Sequence, residues 1–172
     1  MSDSVAGVLT GFDCIADQHS EILILGSMPG VASLKQQQYY AHPRNAFWKI
    51  IEALYDIPAD LDYQQRLILL KDQKIALWDV AHQCVRTGSL DSNIKADSVQ
   101  VNDFKALFSY SEKIKRVYLN GGKAAELFTK KVLTTPYIAS LYLQCTQLPS
   151  TSPANARLTV DQKIAIWQQI RA

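Results

Sequence analysis

Metal ligands at usable spacing are missing from this chain. Its three cysteines, Cys14, Cys84 and Cys145, and its three histidines, His19, His42 and His82, lie far apart. No pair has zinc-ligand spacing, so no metal site is expected. A scattered, odd set of cysteines also excludes a disulfide framework and fits a reducing compartment. No apolar run reaches the ~20 residues that a membrane helix requires. Residues 1–20 carry acids and no basic stretch ahead of their apolar residues. They do not read as a secretory leader, and a cytoplasmic location is expected. Strong charge of either sign is absent too, the formal net charge being +2. That is too mild to announce a nucleic-acid binder by itself. Phosphate-cradling loops are absent: there is no G-x-G-x-x-G and no glycine-rich loop ending in Gly-Lys-Ser/Thr. The paired carboxylates of a sugar hydrolase are not evident. A serine nucleophile elbow needs glycine two residues either side of the serine, and Ser27 has Leu25 and Pro29 there.

What is present suits one folded domain. The 172 residues are 48% hydrophobic and 20% charged, which allows a sizeable core and argues against disorder. Four short apolar runs read as strands: Glu21–Gly26, Lys74–Asp79, Arg116–Asn120 and Leu143–Leu148. The first is almost wholly aliphatic, as expected of a strand covered on both faces. Helical spacing marks Ala46–Leu54, Tyr63–Leu70, Val101–Phe108, Gly122–Val132 and Thr159–Ile170. Alternation of strands and helices predicts a three-layer α/β/α sandwich around a four-stranded parallel sheet. Trp48, Trp78 and Trp167 are assigned to the core.

Ligands of open parallel sheets bind beyond the carboxyl ends of the strands. The first strand ends in Gly26-Ser27-Met28-Pro29-Gly30, and the second in Trp78-Asp79. The third ends in Asn120-Gly121-Gly122, and the fourth in Leu148-Pro149-Ser150-Thr151-Ser152-Pro153. Each end carries small, polar or helix-breaking residues. Between the first strand and the next helix lies a loop with Tyr39, Tyr40 and His42-Pro43-Arg44-Asn45. Each piece has a plainer reading. Gly26 and Gly30 can be turn glycines, Asp79 and Asn45 helix caps, Ser150 and Ser152 caps, and one of the two tyrosines a packing residue. Together they describe a cleft of backbone donors, amides, hydroxyls and aromatic rings. Such a cleft suits a flat heterocycle, the way enzymes hold a flipped nucleobase.

These stretches resemble the uracil-DNA glycosylase superfamily, most closely its hypoxanthine-DNA (deoxyinosine) and mismatch-specific branch. The resemblance is carried by Gly26–Gly30, by Tyr40–Trp48, and by Leu77–Val80 with Arg86–Ser92. It continues through Asn120-Gly121 and Leu148–Pro153, in order along most of the chain. It implies a base pocket built from Gly26, Ser27, Met28, Pro29 and Gly30, with Tyr40 stacking on the flipped base. Asp79 and Asn120 would stand at the base-recognition strand ends. Asp79 would recognise a base N–H or else act as general base. Ser150, Thr151, Ser152 and Asn155 would press on the DNA, and Arg44 and Arg157 would meet phosphates. Related branches carry Asn, Asp or Glu where Met28 stands. The resemblance moves the catalytic amide to Asn45, which favours deoxyinosine over uracil in mismatches. The implied activity is hydrolysis of the N-glycosidic bond to leave an abasic site, as in base excision repair. No cofactor or metal is implied, and the partner is DNA containing deaminated bases, bound by a monomer. The alternative is a non-catalytic damaged-DNA-binding module on the same fold, which the missing side chain at Met28 keeps open.

Overall fold

The computed structural model describes residues 7–172. The first six residues of the stretch read for a leader lie outside it. In chain order the strands are β1 (Val8–Thr10), β2 (Ile22–Gly26), β3 (Ile75–Asp79), β4 (Ala81–Val85), β5 (Gln100–Val101), β6 (Arg116–Asn120) and β7 (Gln144–Leu148). The helices are α1 (Val31–Gln36), α2 (Phe47–Tyr55), α3 (Tyr63–Asp72), α4 (Phe104–Tyr110), α5 (Gly122–Lys131), α6 (Pro136–Ala139) and α7 (Val160–Trp167).

Four strands pair in the order β3-β2-β6-β7, and every pairing is parallel. Alternate residues of β2 feed two separate cores. Leu23 and Leu25 join Val117, Leu119, Phe104, Phe108, Leu127 and Phe128 on one face. Ile22 and Ile24 join Phe47, Ile50, Ile51, Leu70, Ile75, Leu77 and Trp167 on the other. Period-two alternation with both faces apolar is what a covered parallel strand requires. The expected α/β/α sandwich and its four-stranded parallel sheet are therefore found.

Several elements differ from expectation. A second, antiparallel sheet runs β1-β4-β5. Its strands have two to five residues, and β4 (AHQCV) is interrupted by the adjacent polar pair His82-Gln83, so they lack an apolar run. Val101 belongs to β5, and α4 starts only at Phe104, where Asp103 caps it by accepting from Ala106 N–H at 3.0 Å. Residues 31–36, expected as loop, form α1. Trp78 is only partly buried; its Nε1 donates to Phe12 O at 3.0 Å at the edge of the core. The last helix is capped as its sequence suggests: Thr159 and Gln162 form a reciprocal capping box.

The register aligns the strand ends. Gly26 lies beside Asp79, and Asn120 beside Leu148. The segments that follow these ends converge above one edge of the sheet.

Candidate active site

A cavity of about 410 Å³ opens at that edge. Its walls are Gly26–Ser33, Tyr39, Tyr40, His42, Asn45, Asp79, Ser89–Ser92, Asn120 and Ser150–Asn155. Every expected base-binding residue is on it, as are Asn45, Ser150, Thr151, Ser152 and Asn155. Arg44 and Arg157 are not; both are exposed outside the cavity.

The floor is formed by Asp79 and Tyr40. Asp79 is 4% exposed, and its Oδ2 has no hydrogen-bond partner among the described residues. Its main-chain carbonyl accepts from Asn102 Nδ2 at 2.7 Å. Burial, and then the charge of Asp91, push the Asp79 carboxyl from its ordinary 3.8 up to about 7, against an opposing pull from Arg86. Asp79 is thus no helix cap; its side chain faces the cavity. No side chain fits at Gly26, because a Cβ there would overlap the Asp79 carboxylate.

Tyr40 stacks on Phe47, centroid to centroid 4.1 Å with planes 25° apart. Phe47 thus covers one face of a ring that also lines the cavity. The backbone of Tyr40 is left-handed at φ 56°, a conformation that non-glycine residues rarely hold away from constrained sites. The Tyr40 hydroxyl is buried without a partner. Burial, with Asp79 second, raises its pKa against an opposing pull from the Asn120 side chain, so it stays a protonated donor. Tyr39 is the packing member of the pair, with its hydroxyl on Asp13 O at 3.1 Å and its carbonyl taken by Trp48 Nε1 at 3.0 Å.

Asn45 stands at the cavity wall before α2. Its Oδ1 accepts from Phe47 N–H at 3.0 Å, so the capping contact exists. An amide oxygen has a second lone pair and the nitrogen two donors, which leaves most of the group free. Asn120 and Thr151 tie two strand ends together. Asn120 Nδ2 donates to Thr151 Oγ1 at 3.0 Å, and Thr151 N–H donates to Asn120 Oδ1 at 2.9 Å. The Asn120 side chain also faces the Tyr40 hydroxyl and draws its pKa down. The Ser150–Asn155 loop braces itself: Ser152 N–H donates to Ser150 Oγ at 3.2 Å, and Asn155 Nδ2 to Ser150 O at 3.1 Å.

Met28 is 6% exposed and packs into the core. Only its backbone belongs to the loop, which is why no polar side chain is available there. The Arg86–Ser92 segment closes the remaining side. Ser89 Oγ accepts from Val31 N–H at 2.9 Å, and Asp91 Oδ1 accepts from Ser27 Oγ at 2.5 Å. These residues carry the family resemblance, yet composition and spacing offer no reason to place them at the cavity. Their position depends on β4, which the sequence does not reveal. Among the described residues no group of three or more His, Cys, Asp or Glu could hold a metal.

The model of the uracil DNA glycosylase superfamily matches residues 12–171. The chain belongs to that superfamily. A hypoxanthine DNA glycosylase of Methanosarcina acetivorans is 35% identical over 161 residues, 93% of this chain and 96% of the relative. A protein of the same description from Methanosarcina barkeri is 37% identical over 156 residues, covering 89% and 92%. The solution NMR structure of a candidate uracil DNA glycosylase from M. acetivorans superposes with a TM-score of 0.77 at 32% identity. That match covers 96% of this chain and all of the other. The three-layer fold is that of the superfamily.

Proposed function

We propose that this superfamily member is a DNA glycosylase of base excision repair that removes deaminated bases, with deoxyinosine as its principal substrate. The relatives described as hypoxanthine DNA glycosylases, matched along almost their whole length, support the activity. The observation that carries the reading is the cavity floor. Two buried polar atoms, Asp79 Oδ2 and Tyr40 Oη, lack partners there. Such atoms are destabilising unless a ligand satisfies them. A hypoxanthine edge, with its N1–H donor and O6 acceptor, complements an ionised carboxylate and a phenol.

In this reading the flipped base lies against the face of Tyr40 opposite Phe47. Asp79, when ionised, accepts from the base N–H. The backbone N–H groups of Ser27, Met28 and Gly30, Pro29 having none, face the rest of its edge. As the C1′–N9 bond breaks, its electron pair passes to the base and the sugar becomes oxocarbenium-like. Asn45 Oδ1 holds a water by its unused lone pair and directs it at C1′. The water oxygen bonds to C1′ and its proton passes to solvent or to the departing base. A cationic sugar needs little activation of the nucleophile, so positioning is the main requirement. Backbone donors meeting the anionic base are worth ~3–4 kcal/mol each. The Ser150–Asn155 loop presses on the DNA, and Arg44 and Arg157 contact phosphates. No metal or cofactor enters the scheme, and the enzyme acts as a cytoplasmic monomer.

The test is direct. Purified protein incubated with an inosine-containing duplex should release free hypoxanthine and leave an alkali-labile abasic site. Binding to inosine, uracil and xanthine duplexes with no base released from any would replace this reading with a non-catalytic damage-binding module.

A further inference from the structure

Four successive carbonyls at the end of β2 turn to the same side. Gly26 O accepts from Val80 N–H at 2.8 Å and Ser27 O from Ala81 N–H at 3.0 Å. Backbone donors end there, and one side chain takes over. Arg86 Nη1 donates to Met28 O at 3.4 Å, Nη2 to Pro29 O at 2.7 Å, and Nε to Gly88 O at 2.7 Å. In a trans peptide unit the N–H points opposite to the C=O. Anchoring Pro29 O on Arg86 therefore turns the Gly30 N–H to the other side of the loop. Gly30 lines the cavity, and its N–H donates to no acceptor among the described hydrogen bonds.

Arg86 is 3% exposed and makes no direct ion pair among the described residues. Burying a guanidinium on carbonyls alone is unfavourable. Holding a turn needs donors and no charge. A cation behind the loop is useful where negative charge develops in front of it.

We propose that Arg86 is a positioning residue for base release, aiming the Gly30 N–H at the departing base and placing a buried positive charge behind the Ser27–Gly30 loop. The proposal rests on the glycosylase reading above. When the C1′–N9 electron pair moves to the base, the new anion meets a peptide N–H whose carbonyl is bound to a guanidinium. Charge on one end of a hydrogen-bonded chain strengthens the other. The groups that face Arg86 are the carboxylates of Asp79 on β3 and Asp91 after β4, and the thiol of Cys84 on β4. Around Asp79 stand Asp91 and Arg86, with the protonated phenols of Tyr39, Tyr40 and Tyr63 and the thiol of Cys14 nearby. Arg86 also draws down the pKa of Asp79, so its removal has an electrostatic signature separate from any loosening of the loop.

Single-turnover release of hypoxanthine from an inosine duplex, measured across the neutral pH range, tests this with Arg86→Gln and Arg86→Lys. Arg86→Gln should lower the rate about 100-fold. It should also move the acid-limb midpoint upward by roughly a unit. Arg86→Lys keeps the charge but loses the planar fork, so its rate should fall clearly less than that of Arg86→Gln, at an unmoved midpoint. Equal losses in both variants with unmoved midpoints would make Arg86 a simple brace and overturn the proposal. So would a rate for Arg86→Gln within about twofold of wild type. Should Arg86→Gln not fold, Arg86→Lys decides: a moved midpoint or a hundredfold loss overturns the proposal, and a smaller loss at an unmoved midpoint supports it. If wild type itself releases no base, the glycosylase reading fails. If wild type is active and only these expectations fail, the fault lies with Arg86 alone.

Discussion

At Asn45, the observed bond to the first turn of α2 and the proposed orienting of a water ask for the same side chain. Its Oδ1 already accepts from Phe47 N–H, so loss of the amide should weaken α2 whatever the chemistry. A cap of this kind is worth ~1 kcal/mol. Serine can cap but cannot reach and orient a water as the amide does. Asn45→Ser should therefore unfold in urea close to wild type while its single-turnover rate drops by about two orders of magnitude. Equal activity would return Asn45 to capping alone. Asp79 presents the reverse trade. Its folded pKa of about 7 lies above the ordinary 3.8. The native state therefore holds a proton that the unfolded chain releases. Stability from this group is full below the ordinary value and is lost as pH rises through about 7. Asn cannot ionise, so Asp79→Asn should be more stable than wild type by about 2–4 kcal/mol near pH 8. Near pH 4 the two should be about equal. The variant should also release hypoxanthine poorly, because a neutral amide is a weaker acceptor than the carboxylate and puts an NH2 where one of its oxygens stood. Urea unfolding at the two pH values, beside a glycosylase assay, checks both halves. A carboxylate kept at the expense of stability marks a working site.

The elements that carry the site were legible to different degrees. The four parallel strands announced themselves through dense aliphatic runs or Gly/Pro/Asn ends, and their bounds fall within one residue of expectation. For β2, complete burial of both faces left no polar position to blur the pattern. The antiparallel sheet did not show, because β1, β4 and β5 draw their stability from pairing and edge packing more than from apolar content. That omission hid the placement of the 86–92 wall. The resemblance named Arg86, Ser89 and Asp91, but only β4 running back beneath the Gly26–Gly30 loop brings them to the cavity. Helix α1 escaped for a similar reason: VASLKQ has no side-chain cap, and tertiary contacts hold it, with buried Ser33 Oγ accepting from Ala41 N–H at 3.1 Å. Met28 shows the limit of reading motifs by position. The family pattern marks it as a missing catalytic group, whereas the structure shows a core side chain.

Across the whole molecule, the weak net charge of +2 means that DNA binding must come from local cations. Lys123 is partly engaged with Glu126 at 3.7 Å, and Lys130 with the same glutamate at 3.1 Å. Arg44 and Arg157 are exposed, form no ion pair among the described residues, and flank segments that line the cavity. In the proposed complex they neutralise phosphates beside the flipped nucleotide. Each phosphate contact that releases a counterion adds about 0.9 to the slope of log affinity against log salt. Arg44→Gln and Arg157→Gln should each reduce that slope by about one, and the double variant by about two. Neither arginine approaches the cavity floor, so saturating single-turnover rates should change far less than affinity. Fluorescence titrations of an inosine duplex over a range of salt concentrations measure the slope. Slopes equal to wild type in both variants would remove these arginines from the DNA path. The binding face would then have to be sought among the lysines, such as Lys35 at the end of α1 and Lys49 on α2.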